Sequence, residues 1–420
     1  LDIKITPSEI LGTVQAPPSK SMTIRMYAAG LLARGTTTVV NCSRCSDAYN
    51  ALKIVEAFGA DTIDEGDIVT VNSSGLLSPA EIDCGESALN ARLFGIIGLL
   101  GRKRFVLNGS GTLLNRKLGD LQLLYLQIGA MCSSTAGRLP FTVEGTLEGG
   151  DYMFDGSSGS QALSGLLFTL PLAGSDSYIR LQNITSKPYI DMTLDVLKKF
   201  GIAIENNNYR YIYIKASQEY RNSTVVAEGD WSGAAAVLAA GAVGGRAELT
   251  GLNLNSLQGD KNVLDALAMA GARIATDNDR VISEKGSLTA FEFDFTDTPD
   301  LFPPLIVLAC CCKGDSVFSG TDRLRFKESN RVAALVEELT KMGASFVKEP
   351  GRLIVRGGTA LGAADVSSHN DHRLAMALMV AASMAKGTTV VRGVECLDKS
   401  WPGFIDDFGS LINYNYKIEL

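Results

Sequence analysis

The sequence predicts an α/β protein of two inside-out domains, each made of three repeated helix-strand-helix-strand-strand units, with parallel helices buried and sheets outside. Three observations predict it. A small-residue apolar helix recurs six times at a spacing of roughly 70 residues. That helix is apolar nearly all round, as a buried helix must be. The second helix of each unit keeps one polar face and is suited to cover the outside.

The first helices, in order, are SKSMTIRMYAAGLLARG, GESALNARLFGIIGLLG, GSQALSGLLFTLPLAG, GDWSGAAAVLAAGAVGG, PDLFPPLIVLACCCKG and NDHRLAMALMVAASMAKG. They run to Gly35, Gly101, Gly174, Gly245, Gly314 and Gly387, where a left-handed cap would end a helix. A short β-rich run follows each one, as in TTTVVN and TTVVRG. The second helices, such as DAYNALKIVEAFGA and RVAALVEELTKMGA, stop at Gly59, Gly129, Gly201, Gly271, Gly343 and Gly409. A pair of alternating strands generally closes the unit, as in NYRYIYIKA and GRLIVRG.

Length and composition agree with this reading. At roughly 150 residues per domain, 420 residues divide more naturally into two groups of three units than into one closed array. The strand before Pro17 resembles those of the second half, so chain crossings are expected near residues 15–18 and 226–230. Residues 18–228 would form one domain, and 1–17 with 229–420 the other. A hydrophobic content of 46% with 20% charged residues excludes a disordered chain. Apolar stretches such as Leu305 to Cys312 are too short to span a bilayer. The N-terminus alternates like a strand and lacks the pattern of a signal peptide, so a cytoplasmic location is expected. A net charge of -7 speaks against a nucleic-acid partner. The eight cysteines read as reduced thiols, because Cys310, Cys311 and Cys312 are consecutive. Cys42 and Cys45 form a lone CxxC with no partner pair at zinc-site spacing, so no metal site is expected.

Polar residues gather where the buried helices begin: Ser19, Lys20, Ser21 and Arg25; Glu86, Ser87 and Arg92; Ser158, Ser160 and Gln161; Asp230; Asp300; Asn370, Asp371 and Arg373. Any one of these starts reads as ordinary helix capping. Six together would converge N–H groups and positive dipole ends on bound anions. DGSSGSQ adds glycines that let backbone amides approach a phosphate. DRLRFKESNR places Arg323, Arg325, Lys327 and Arg331 ahead of an amphipathic helix.

PPSKSMTIR, DGSSGSQ, TSKPYIDMT, RLRFKESNR, NDHRLAM and KSWPGF, in that order from Pro17 to Pro402, resemble the motifs of the EPSP synthase family. The resemblance implies two inside-out domains of three repeats with the active site in the cleft between them. It also implies transfer of the enolpyruvyl group of phosphoenolpyruvate to the 5-hydroxyl of shikimate 3-phosphate, by a monomer that uses no metal or organic cofactor. On the same ground Lys20, Ser21, Arg25, Ser158, Ser160, Gln161, Ser186, Tyr189, Asp300, Arg323 and Lys327 are expected to bind shikimate 3-phosphate. Lys20, Ala88, Arg116, Gln161, Arg331, Arg373 and Lys399 are expected to hold phosphoenolpyruvate. Asp300 suits the general base, and Lys20 or Glu328 the proton donor. In HNDHR, which holds the only two histidines, Arg373 would matter most as a fork for a carboxylate. His372 would orient neighbours and His369 would be a spectator.

The chain departs from the family pattern in places. GESALNARL stands where many members read GNAGTAMRP, so Glu86, Ala88 and Leu89 replace Asn, Gly and Thr while Arg92 is kept. Gly159 stands where a serine is common, and Asn330 where an aspartate is usual. Glyphosate occupies the phosphoenolpyruvate site of sensitive members near the glycine that is Ala88 here, so reduced sensitivity is expected. The rival readings are the UDP-N-acetylglucosamine enolpyruvyl transferase, which resembles the chain less at SKS, SKPY and KESNR; the RNA terminal phosphate cyclase, which would label a histidine; and a non-catalytic repeat scaffold.

Overall fold

The computed structural model describes residues 1–412. The chain divides into two compact units, one of Pro18–Ala227 and one of Leu1–Pro17 with Glu228 onward. In the first lie α1 (Lys20–Leu32), α2 (Ser46–Ala57), α3 (Ala88–Ile97), α4 (Gly119–Gln127), α5 (Gln161–Thr169) and α6 (Lys187–Lys199). The second holds α7 (Trp231–Gly244), α8 (Val263–Met269), α9 (Phe302–Cys311), α10 (Arg331–Lys341), α11 (His372–Ser383) and α12 (Phe404–Leu411).

The odd-numbered helices form the core of each unit. In α7 every side chain from Trp231 to Val243 is buried, and in α11 every one from His372 to Ser383. Their alanines and glycines let neighbouring helices approach closely, and the α7, α9 and α11 helices pack on one another. The even-numbered helices bury one stripe only. On α10, Ala334, Leu335 and Leu339 face inward together with Arg331 and Glu338, while Glu337 and Lys341 face out. The strands alternate between buried and exposed positions, as in Ser177–Gln182, so the sheets lie outside the helices as expected from the sequence.

One element of the repeat is not legible in the sequence. A short strand precedes the buried helix and pairs parallel with the strand that follows it: Glu81–Asp83 with Phe105–Asn108, Asp151–Asp155 with Ser177–Gln182, Glu292–Asp294 with Asp315–Ser319 and Asp365–Ser367 with Thr389–Arg392. The buried helix is thus the crossover that a parallel pair requires. Among the described residues this gives five four-stranded sheets and one three-stranded sheet. Three pairings join distant sequence. Asp2–Ile5 runs antiparallel to Thr389–Arg392, Ile10–Gln15 parallel to Gly245–Thr250, and Thr224–Val226 parallel to Gly35–Val40.

Most of the expected glycine stops adopt a positive φ, but three do not. The helix of α3 continues as a 3-10 turn to Gly101, and Arg102 takes the left-handed position at φ 51°. After α5 a 3-10 turn at Leu170–Leu172 precedes an extended exit at Ala173, so Gly174 has no cap to make. Gly409 lies inside α12, which runs on to Leu411. Among the described residues no helix is long and apolar enough to cross a membrane.

Candidate active site

In the unit of Pro18–Ala227 the site is built around Arg25, on the second turn of α1 and fully buried. Its Nε donates to Thr193 Oγ1 at 2.9 Å, Nη1 to the Ser21 carbonyl at 2.9 Å and Nη2 to Ser164 Oγ at 3.4 Å. All three partners are neutral. Burial pushes the guanidinium down to about 10, because a cation removed from water is offered only dipoles. The partners tie α1 to two other helix starts. Ser164 Oγ donates to the Ser160 carbonyl at 3.2 Å, and Thr193 Oγ1 to the Tyr189 carbonyl at 2.8 Å. Ser160 precedes α5 as a buried residue whose side chain makes no cap bond, and Gly159 reaches it at φ 117°. Ser158 ends the preceding 3-10 turn Gly156–Ser158. Ser186, left-handed at φ 58°, precedes α6.

Three further helix ends join this group. Lys20 Nζ lies 3.0 Å from Asp47 Oδ2 on α2, and Asn90 Nδ2 of α3 donates to the Asp47 carbonyl at 3.0 Å. Gln161 Oε1 accepts from Arg92 Nη1 at 3.3 Å, while Asp120 holds Arg92 through bonds of 2.7 and 3.0 Å. Glu86 Oε2 accepts from Thr112 N at 2.9 Å and Thr112 Oγ1 at 2.7 Å. It thereby pins the 3-10 turn Gly111–Asn115, which ends at Arg116. Gly111 has φ 51°, and a Cβ there would run into the Glu86 carboxylate, so this turn requires glycine. Ala88 opens α3 and is buried.

In the other unit three carboxylates converge on Arg331, the first residue of α10. Its Nη1 meets Asp300 Oδ1 at 2.6 Å, Nη2 meets Glu328 Oε2 at 2.7 Å, and Nε meets Asp371 Oδ2 at 2.9 Å. Asp300 comes from the 3-10 turn Pro299–Leu301 that leads into α9, and also faces Lys327 Nζ at 3.5 Å. Asp371 is the N-cap of α11 and accepts from Arg373 N at 3.0 Å and Ser329 Oγ at 3.1 Å. Arg373 is buried, with Nη2 3.7 Å from Asp230 Oδ2, the N-cap of α7. Among the described residues its Nε and Nη1 meet no acceptor. Lys399 Nζ donates to the Asn370 carbonyl at 2.8 Å.

Burial alone would raise the Asp300 carboxyl, but the cations of Lys327, Arg331 and Arg373 hold it well below the usual carboxylate range. Asp260, which accepts from Ser232 Oγ, is pushed up to about 6, first by burial and then by the charge of Asp300. Among the described residues Arg25 thus has only neutral hydrogen-bond partners, while Arg373 lies beside Asp230 and keeps two nitrogens without an acceptor.

The family model for EPSP synthase (3-phosphoshikimate 1-carboxyvinyltransferase) matches residues 5–408. The chain belongs to the EPSP synthase family. It is 37% identical over 412 residues to the 3-phosphoshikimate 1-carboxyvinyltransferase of Clostridium perfringens (strain 13 / Type A), covering 97% of each chain. It is 36% identical over 414 residues to that of Methanocorpusculum labreanum, again with 97% of each chain. Its fold is similar to a solved EPSP synthase from Acinetobacter baumannii, with TM-score 0.82, 22% identity and 98% of each chain covered.

Within this EPSP synthase framework the structure brings together Asp300, Lys327, Glu328, Arg331 and Arg373 in one unit, and Ser21, Arg25, Ser160 and Tyr189 in the other. Arg331 and Arg373, both expected to hold phosphoenolpyruvate, are unlike. Arg331 is filled by acidic partners, and Arg373 keeps two open nitrogens. Arg323 Nη2 donates to the Thr296 carbonyl at 2.6 Å, which makes it a brace for the loop before Asp300. Sequence reasoning passed over Asp47, Ser164, Thr193 and Asp260, and gave Asp371 no role. The available signal was a hydroxyl inside a helix otherwise apolar all round, as at Ser164.

Proposed function

We infer that this chain transfers the enolpyruvyl group of phosphoenolpyruvate to the 5-hydroxyl of shikimate 3-phosphate, releasing phosphate. The observation that carries the assignment of substrate to residues is Arg25, a buried cation whose hydrogen-bond partners among the described residues are all neutral. The phosphate of shikimate 3-phosphate would supply the missing charge, with Ser21, Ser158, Ser160, Gln161, Ser186 and Tyr189 adding donors and Lys20 a second cation. Arg373 Nε and Nη1 would take an anionic group of phosphoenolpyruvate, with Arg116, Lys399 and the start of α3 at Ala88 completing its site. The reaction would run in the cytoplasm and within a single chain.

The chemistry needs a base for the 5-hydroxyl and an acid for the methylene carbon of phosphoenolpyruvate. Protonation makes that carbon a methyl group as the hydroxyl oxygen bonds to the neighbouring carbon. The tetrahedral intermediate then loses phosphate and a methyl proton, which restores the double bond. Asp300 is ionised but weakly basic while Lys327, Arg331 and Arg373 surround it. Anionic substrates that neutralise those cations would raise its basicity, so the base becomes effective once the site is filled. Lys20 and Glu328 are the candidate acids.

Steady-state kinetics of Asp300→Ala test this reading. Turnover should fall by about 10²- to 10⁴-fold, with shikimate 3-phosphate affinity kept within an order of magnitude. Near-normal turnover would remove Asp300 from the mechanism.

A further inference from the structure

The turn that carries Asn370, Asp371 and Arg373 is held in an unfavourable shape. His369 and Asn370 are consecutive left-handed residues at φ 51° and 55°, a conformation disfavoured for any residue with a Cβ. Something must keep the chain there. Backbone bonds supply part of the restraint: Asp371 N donates to the Ser368 carbonyl at 3.0 Å, and Asn370 N to Ser368 Oγ at 3.1 Å.

The rest comes from α10. Glu338 of that helix is fully buried, and its Oε1 lies 2.7 Å from His369 Nε2. Its other oxygen accepts from Ser367 N at 3.0 Å and Lys341 Nζ at 2.7 Å. Glu338 follows Arg331 by about two helical turns, which puts both on the same side of α10. One helix therefore grips one turn at two points, Arg331 on Asp371 and Glu338 on His369. The turn in turn presents the Asn370 carbonyl to Lys399 and carries Asp371, whose carboxylate accepts from the backbone N–H of Arg373.

We propose that His369 is a positioning residue, which acts through buried Glu338 to fix the turn that sets Arg373 and Lys399 for phosphoenolpyruvate. This rests on the reading that those two cations hold phosphoenolpyruvate. Glu337, Glu338 and His369 approach one another closely enough to invite a cation. The ammonium of Lys341 already supplies the positive charge on Glu338, so the cluster works as a brace.

The test is a comparison of His369→Ala, His369→Gln and Arg373→Ala by steady-state kinetics, with thermal unfolding alongside. His369→Ala should raise the phosphoenolpyruvate KM by roughly 3- to 30-fold and leave the shikimate 3-phosphate KM within about twofold. His369→Gln places an amide N–H where the ring nitrogen was and should restore most of the loss. A phosphoenolpyruvate KM unchanged in His369→Ala but raised in Arg373→Ala would overturn the brace alone. No change in either would overturn the reading of Arg373 and the brace with it. Equal losses for both substrates, unrescued by glutamine and tracking a lower melting temperature, would mark His369 as merely structural and also overturn the proposal.

Discussion

Arg331 Nε and Asp371 Oδ2 lie 2.9 Å apart with both side chains out of contact with water, and this pair joins the start of α10 to the N-cap of α11. Removing one partner from a buried ion pair leaves the other charge without compensation, which typically costs about 3–5 kcal/mol. Asp371→Ala also removes a cap. Urea denaturation should show a loss of that size, and Asp371→Asn, which keeps an acceptor for Arg373 N, should lose less.

The two arginines of this unit should respond differently to the same substitution. Arg373 has open nitrogens, so Arg373→Lys loses a fork that lysine cannot reproduce. Its phosphoenolpyruvate KM should rise roughly tenfold or more with little change in unfolding midpoint. Arg331→Lys breaks contacts with three carboxylates and should lower the midpoint. Kinetics and denaturation on both variants check the contrast.

Arg25 should show a conflict between stability and binding. Its buried cation is a burden on the ligand-free protein, so Arg25→Met should unfold at the same temperature or higher. Shikimate 3-phosphate should raise the melting temperature of the natural protein by mass action and leave that of the variant where it is. Thermal scans with and without this substrate measure both effects.

Asp260 gives a pH dependence of defined sign. Its carboxyl, pushed up to about 6, binds a proton more tightly in the folded protein than an ordinary aspartate near 3.9 does in the unfolded chain. Stability is therefore lost as pH rises from about 4 through about 6. Asp260→Asn escapes that loss. It should be more stable than the natural protein at pH 8, and the advantage should fade as the pH falls to 4, as read from urea midpoints across the range.

Ala88 begins the buried helix α3 with a methyl group where the family resemblance leads one to expect glycine. Overpacking at such a start typically costs about 1–3 kcal/mol, or roughly 5- to 150-fold in affinity. Ala88→Gly should lower the glyphosate inhibition constant and change the phosphoenolpyruvate KM less. An unchanged inhibition constant would place Ala88 away from the inhibitor.

Much of the fold was legible because burial leaves a strong mark on a helix. The run of alanines in α7 and the mixed faces of α10 can each be assigned from side chains alone. Strands such as Glu81–Asp83 were not, because three residues are too few for an alternation to show. Gly101 and Gly174 failed as stops because 3-10 turns extend α3 and α5 beyond the apolar periodicity. In the site, residue types announced an anion-binding surface, but partners did not. Nothing in the spacing of Arg331 and Arg373 reveals that one is filled by Asp300, Glu328 and Asp371 while the other is open. The contacts with Asp300 and Asp371 join residues about 30 to 40 positions apart, and only tertiary packing decides them. The same holds for His369, whose partner lies one helix earlier.

The pairing of Asp2–Ile5 with Thr389–Arg392 and of Ile10–Gln15 with Gly245–Thr250 bears on how the molecule assembles during synthesis. Residues 18–227 form a continuous segment and one compact unit. The two leading strands are made earlier still, yet their partners arrive only after that segment is complete. Until then their backbone groups stay unpaired and open to mispairing with other chains, the usual hazard of an exposed strand edge. The knot of Asp300, Arg331 and Asp371 belongs to the later unit, so it is assembled only after residues 18–227 have been made.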